Sequence, residues 1–89
     1  MFHYVYILES KGNKELYTGY AVNLDKRLKE HNRGLNSSTK SARPWQYIYV
    51  EACLNKEDAQ RRERYLKTSQ GMRLLKRRLK EYFHSRKTA

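Results

Sequence analysis

From Phe2 to Leu8 the chain alternates, with Phe2, Tyr4, Tyr6 and Leu8 on one face and His3, Val5 and Ile7 on the other. Both faces are largely apolar, which predicts a central strand covered on each side. Gly12-Asn13 favours a turn, and Leu16-Tyr17-Thr18-Gly19-Tyr20 continues as a second strand, so the two form a hairpin with a somewhat long loop. Gly19 inside that strand signals a bulge or a close backbone approach. Asn23 suits the N-cap of a helix from Leu24 to about Asn32, with Gly34 as its stop. Leu24, Leu28 and His31 then share a stripe, with Arg27 beside it.

The stretch Leu35 to Pro44 is polar and is expected to be a mobile loop. Trp45 to Glu51 sets Trp45, Tyr47 and Tyr49 against Gln46, Ile48 and Val50, a third strand with an aromatic face. Asn55 caps a second helix, with Glu57 and Asp58 in its first turn and an end near Thr68. A break at Ser69-Gln70-Gly71 is expected before a last, basic helix from Met72 to about His84. Its apolar stripe is Met72, Leu75, Leu79 and Tyr82 or Phe83, and Ser85 to Ala89 is expected to fray. The order is β-β-α-β-α-α, an α/β (α+β) domain over residues 1–84, without an internal repeat or a linker long enough to divide it.

Charge changes this picture more than size does. Eighty-nine residues allow only a thin core, to which eight tyrosines contribute. The formal charge is +11, and eleven of the twenty Lys and Arg residues lie between Arg61 and Lys87. Clustered positive charge is the footprint of a polyanion-binding protein, and nucleic acid is the expected partner. A membrane surface fits less well, because no broad apolar face adjoins the basic residues. A single cysteine, Cys53, excludes a disulfide framework and a Cys-rich zinc site, and it reads as a small buried hydrophobe. No apolar run reaches the length of a membrane span and no secretory signal is legible, so a cytoplasmic protein is expected.

Three groups of residues can carry chemistry. Ala59, Glu63 and Leu66 fall on one helical face, which turns the Glu63 carboxylate toward the body of the protein. There it would suit a Mg²⁺ ion that keeps several waters and takes its other oxygens from substrate phosphate. An exposed glutamate paired with Arg62 or Lys67 fits the same spacing. Arg27 and His31 are four apart on the first helix. Arginine suits a phosphate oxygen and histidine a proton near neutral pH, although spacing alone favours a surface arginine and a half-buried histidine satisfied by the helix end. Tyr6 and Tyr17 lie on adjacent strands. A phenol is a weak base until cations lower its pKa, and the net charge with Arg27 nearby is expected to do so; packing is the other role open to both. Tyr20, Tyr47 and Tyr49 read as packing.

Tyr4-Val5-Tyr6, Tyr17-Thr18-Gly19, Arg27, His31 and Glu63 together resemble the GIY-YIG nuclease superfamily, in particular its small stand-alone bacterial members. Asn23-Leu24, His31-Asn32-Arg33-Gly34, Ser38-Thr39-Lys40, Pro44-Trp45 and Leu66-Lys67 are similar as well, so the resemblance spans roughly residues 2–80. It implies a three-stranded antiparallel sheet flanked by helices, and DNA phosphodiester hydrolysis assisted by one divalent metal, Mg²⁺ or Mn²⁺. It also implies that Glu63 binds the metal, Arg27 the phosphate, that Tyr6 or Tyr17 serves as or assists the general base, and that His31 belongs to the site. Tyr4 stands where the first motif has Gly and Thr18 where the second has Ile, and no late asparagine follows Asn55.

The reading that results is a metal-dependent, structure-directed DNA endonuclease of the repair or recombination type. Lys40, Arg43, Lys67, Arg73 and Lys76 are expected to track the nucleic-acid backbone. DNA is favoured over RNA, and no small-molecule cofactor is expected. A non-catalytic nucleic-acid-binding module on the same fold is the alternative. A protein-interaction domain with incidental charge is a third reading, and the oligomeric state stays open.

Overall fold

A computed structural model describes residues 1–88, with side chains described through Ser85. Three strands form one antiparallel sheet: β1 (His3–Ser10), β2 (Leu16–Ala21) and β3 (Trp45–Cys53), in the order β2-β1-β3. The two-faced apolar pattern of β1 accounts for its central place. Val5 and Ile7 point to one side, into a core with Ala59, Leu66 and Leu75. Tyr6 and Leu8 point to the other, into a core with Ala21, Ala42 and Trp45. Both layers are shut from solvent at β1, and burying such side chains contributes roughly 1.5–3 kcal/mol each. The sheet is therefore the partition between two thin cores.

Helix α1 (Leu24–Asn32) lies on the Tyr6 side, its Leu24 and Leu28 packed into that core. Asn23 caps it as expected, its Oδ1 accepting from the Lys26 amide at 3.0 Å. Helices α2 (Lys56–Leu66) and α3 (Ser69–Arg78) cover the Val5 side. Asn55 Oδ1 accepts the Glu57 and Asp58 amides at the start of α2.

Four expectations need correction. The segment after α1 is not a loose loop: Thr39 is fully buried, Ala42 nearly so, and Lys40–Ala42 form a 3₁₀ turn. The Trp45 indole N–H donates to the Thr39 carbonyl at 2.8 Å, and Asn32 exchanges hydrogen bonds with both backbone groups of Trp45, which ties the segment down. The break expected at Ser69–Gly71 is instead the first turn of α3, because Thr68 Oγ1 accepts the Gly71 amide and starts the helix early. The last helix is interrupted at Leu79, whose φ of −102° and ψ of 29° are not helical, and α4 (Lys80–Thr88) follows. The tail expected to fray from Ser85 is helical to Thr88; Ala89 lies outside the described residues.

Gly19 resolves as a close approach rather than a bulge. It pairs directly with Tyr6 across the hairpin, and a β-carbon there would lie 2.3 Å from the Tyr6 hydroxyl and 2.4 Å from its Cζ. The irregularity in the sheet falls instead between Ile7 and Leu8 in the β1–β3 pairing. The space that a side chain would take at Gly19 is filled by the Tyr6 ring.

Candidate active site

Tyr6 crosses over Gly19 and ends at His31. Its hydroxyl lies 2.8 Å from His31 Nε2, and His31 Nδ1 lies 2.8 Å from Thr39 Oγ1. All three side chains are fully buried. The Thr39 hydroxyl is directed at the Asn36 carbonyl, 3.4 Å away, so its oxygen accepts from His31 Nδ1–H. That tautomer leaves the Nε2 lone pair to receive the Tyr6 hydroxyl hydrogen. The chain of donors thus runs from tyrosine into histidine and from histidine into threonine. Tyr17 stands beside it half-buried, its ring centroid 6.4 Å from that of Tyr6 and 5.1 Å from that of His31.

Arg27 reaches this cluster from α1. Its Nη1 donates to the Tyr20 carbonyl on β2 at 2.9 Å, and its Nε meets Glu30 at 3.1 Å. The side chain is 40 % exposed, and with Glu30, His31, Leu35, Asn36 and Ser37 it lines a groove of about 470 Å³. Burial works against its charge, but the neighbouring Tyr6 phenol and Glu30 outweigh this and hold it protonated.

The expected lowering of the phenol does not occur at Tyr6. Burial raises its pKa, and although Arg27 pulls the other way, burial wins. The free protein therefore holds Tyr6 as a neutral donor. His31 moves down from the ordinary 6.5, first through burial and then through the Arg27 charge, with Glu30 opposing. It is neutral at physiological pH, as the hydrogen bonds require.

A stability prediction follows with a definite sign. Well above pH 6.5 neither folded nor unfolded His31 carries a proton and the group contributes no slope. Below it the unfolded imidazole takes up a proton that the folded one resists, so stability is lost as pH falls toward the lowered folded pKa. Denaturant midpoints measured from about pH 7.5 down to about pH 5 are expected to fall more steeply for the native chain than for His31→Gln. Equal slopes would refute the assignment.

Glu63 sits on α2, on the other side of the sheet. Ala59 and Leu66 mark the buried centre of that helix, and α2 packs on all three strands. Arg62 occupies one flank and pairs with Glu51 of β3 at 3.0 Å. At about 100° per residue Glu63 falls on the opposite flank, toward β2. Arg27 and Glu63 thus approach the edge strand β2 from opposite faces. Glu63 is 21 % exposed, and its carboxylate pairs with Lys67 at 3.3 Å. Both sequence readings of this residue hold in part, since it faces the body and is also ion-paired. Among the described residues no three His, Cys, Asp or Glu side chains form a metal-binding group.

The residues expected to meet nucleic acid fall into separate places. Lys40 and Arg43 are exposed on the segment after α1, and both close around Gly34, whose φ is +78°. Lys67 belongs with Glu63. Arg73 and Lys76 lie on α3, across α2 from the β2 edge, where they line a groove with Tyr65, Gln70 and Arg77.

With this geometry in hand, comparison with known proteins decides the family. The model of the GIY-YIG catalytic domain matches residues 2–74. The chain belongs to the GIY-YIG family. This GIY-YIG domain is 43 % identical over 75 residues to a UPF0213 protein of Staphylococcus haemolyticus, covering 83 % of this chain and 90 % of that one. It is 46 % identical over 66 residues to a UPF0213 protein of Clostridium perfringens, covering 73 % and 70 %. It is also similar to the solution NMR structure of a UPF0213 protein from Bacillus halodurans, with 36 % identity, a TM-score of 0.52, and 84 % and 82 % of the two chains covered. The family is one of nucleases, and the fold matches what the motifs implied. Within this GIY-YIG domain, Thr39 is the polar partner that residue spacing did not reveal. Only the similarity of Ser38-Thr39-Lys40 to small family members marked it.

Proposed function

We propose that this GIY-YIG domain hydrolyses phosphodiester bonds of DNA, directed by the structure of the substrate and assisted by one Mg²⁺ or Mn²⁺ ion. The observation that carries the reading is the buried Tyr6–His31 hydrogen bond beside the Arg27 guanidinium, at the edge strand that Glu63 also faces. Arg27 is exposed enough to exchange the Tyr20 carbonyl and Glu30 for a phosphate oxygen, and it stabilises the charge that grows there. That exchange draws the guanidinium off the Tyr6 phenol. An attacking water then passes its proton to Tyr6 Oη as Tyr6 passes its own to His31 Nε2. The oxygen–phosphorus bond forms while the leaving oxygen departs, and His31 ends as an imidazolium still bonded to Thr39. This coupled transfer avoids a free phenolate, which burial disfavours. Tyr17 packs on His31 and limits its movement.

One half-buried carboxylate fits a hard divalent cation completed by water and substrate oxygens, and Glu63 is the residue that would hold it once Lys67 turns to a phosphate. When bound, such an ion supplies charge stabilisation at the leaving oxygen. Lys40 and Arg43 contact the backbone, which positions a substrate without reading its bases. DNA ranks ahead of RNA, the cytoplasm is the expected compartment, and repair or recombination intermediates are the expected substrates.

A binding module without turnover is the second reading, favoured by the full burial of Tyr6 and by the Lys67 cation on Glu63. Labelled branched DNA separates the two, with affinity measured in EDTA and cleavage in Mg²⁺, for the native chain and for Glu63→Gln. The nuclease reading expects equal affinities and cleavage only by the native chain. Tight binding by both with cleavage by neither would leave the binding module.

A further inference from the structure

Half of the Lys and Arg residues on α1 and α2, counting Lys67 at the end of α2, pair with a carboxylate of the chain. Arg27 pairs with Glu30, Arg61 with Asp58, Arg62 with Glu51 and Lys67 with Glu63. Helix α3 differs. Among the described residues, Arg73, Lys76 and Arg77 have no carboxylate partner, and all three are exposed. Their spacing of three and four puts them on one face. With Gln70 and Tyr65 they line a groove of about 400 Å³ between α2 and α3 that contains no acidic side chain. Tyr65 is half-buried in its wall, and the Arg62 guanidinium lies 5.5 Å from its ring centroid.

We propose that this groove binds a single-stranded segment of nucleic acid, with phosphates along Arg73, Lys76 and Arg77 and a base against the exposed part of Tyr65. Unpaired cations in a row match a phosphate backbone, and an aromatic ring among them matches an unstacked base, which a duplex does not offer. A lipid surface fits worse, because the apolar stripe of α3 is spent inside: Leu75 is buried and Met72 and Leu79 pack on the core. The groove lies on the Arg62 flank of α2, whereas Glu63 faces the β2 edge on the other flank. A nucleotide held in the groove therefore lies on the other flank of α2 from the position proposed to be cut at β2. The substrate class that satisfies both places is a branched or flapped nucleic acid, with a single-stranded arm on α3 and the scissile strand at the sheet edge. This extension to substrate class rests on the proposed nuclease reading; the binding assignment does not.

The test is therefore a binding measurement in EDTA, which reads the groove whether or not the chain cleaves. Fluorescence anisotropy with a labelled single-stranded oligonucleotide and with its duplex, over a range of salt, is compared for the native chain, for the triple variant Arg73→Gln, Lys76→Gln and Arg77→Gln, and for Tyr65→Leu. The triple variant is expected to bind the single strand roughly 10-fold or more weakly, with a salt slope shallower by about 2. Tyr65→Leu is expected to lose about 5-fold or more on the single strand and little on the duplex. The three charge changes are on exposed positions, so their folding is not at risk. Undiminished single-strand affinity in the triple variant, equal losses on single strand and duplex, or binding by this face of phosphatidylserine vesicles in preference to the oligonucleotide would each overturn the proposal.

Discussion

Tyr6→Phe is expected to slow cleavage by roughly 10²–10⁴-fold, the usual contribution of a positioned proton-transfer group, while DNA affinity stays within a few-fold. The substitution removes one oxygen and keeps the ring that fills the space over Gly19. Its stability cost comes from His31 Nε2, which loses its hydrogen-bond partner inside a fully buried cluster, about 1–3 kcal/mol. Single-turnover cleavage and thermal melts separate the two effects, because a chemical role lowers the rate at temperatures where the variant is fully folded. Tyr17→Phe is the matched control. Its ring contacts are preserved and it lacks the hydrogen bond to histidine, so its loss should be smaller. Equal losses for the two variants would move the proton from Tyr6 to a role shared by both phenols.

Gly19→Ala is expected to have the largest effect on stability. The added methyl would fall 2.3 Å from the Tyr6 hydroxyl and 2.4 Å from Cζ, and Tyr6 is held by Tyr17, His31 and Tyr47 around its ring. A packed ring cannot give way as the end of a lysine can, so the overpacking is expected to cost about 3 kcal/mol. In a small domain of ordinary stability that lowers the melting temperature by more than roughly ten degrees. Because Cζ clashes as well as the hydroxyl, Tyr6→Phe is not expected to rescue it. Gly19→Ala with Tyr6→Leu is expected to recover much of the melting temperature and none of the cleavage. A stable, active Gly19→Ala chain would show that the ring does not occupy that space.

How much of this was legible in the sequence depended on whether a residue's partner lay on its own element. The central place of β1 could be read because Val5 and Ile7 declare one face and Tyr6 and Leu8 the other. Asn23 and Asn55 were legible as caps because a cap bonds within its own first turn. The inward turn of Glu63 followed from Ala59 and Leu66 in the same way. What could not be read came from across the fold. Thr39 looks like one more polar residue in a polar segment until Trp45 and Asn32 pin that segment beneath α1. Counting charge along the chain predicts a lowered Tyr6 pKa, but the burial that raises it is not written in the sequence. The early start of α3 depends on the Thr68 hydroxyl accepting the amide three residues ahead, a signal present in the sequence and outweighed by Gly71. In the sequence the motif glycine, Gly19, signals a bulge or a close approach alike, and only the cross-strand pairing decides for the approach and identifies the approaching group as Tyr6.

The measurement that bears most directly on the central claim is a time course of supercoiled plasmid with the native chain in Mg²⁺, in Mn²⁺ and in EDTA. Nicked circles that accumulate with either metal, and not with EDTA, are the expected result, with Tyr6→Phe slower by the factor given above. Plasmid that stays supercoiled in both metals, while the same protein retards it in a gel in a salt-sensitive way, would contradict the account and leave a GIY-YIG domain that binds nucleic acid without cutting it.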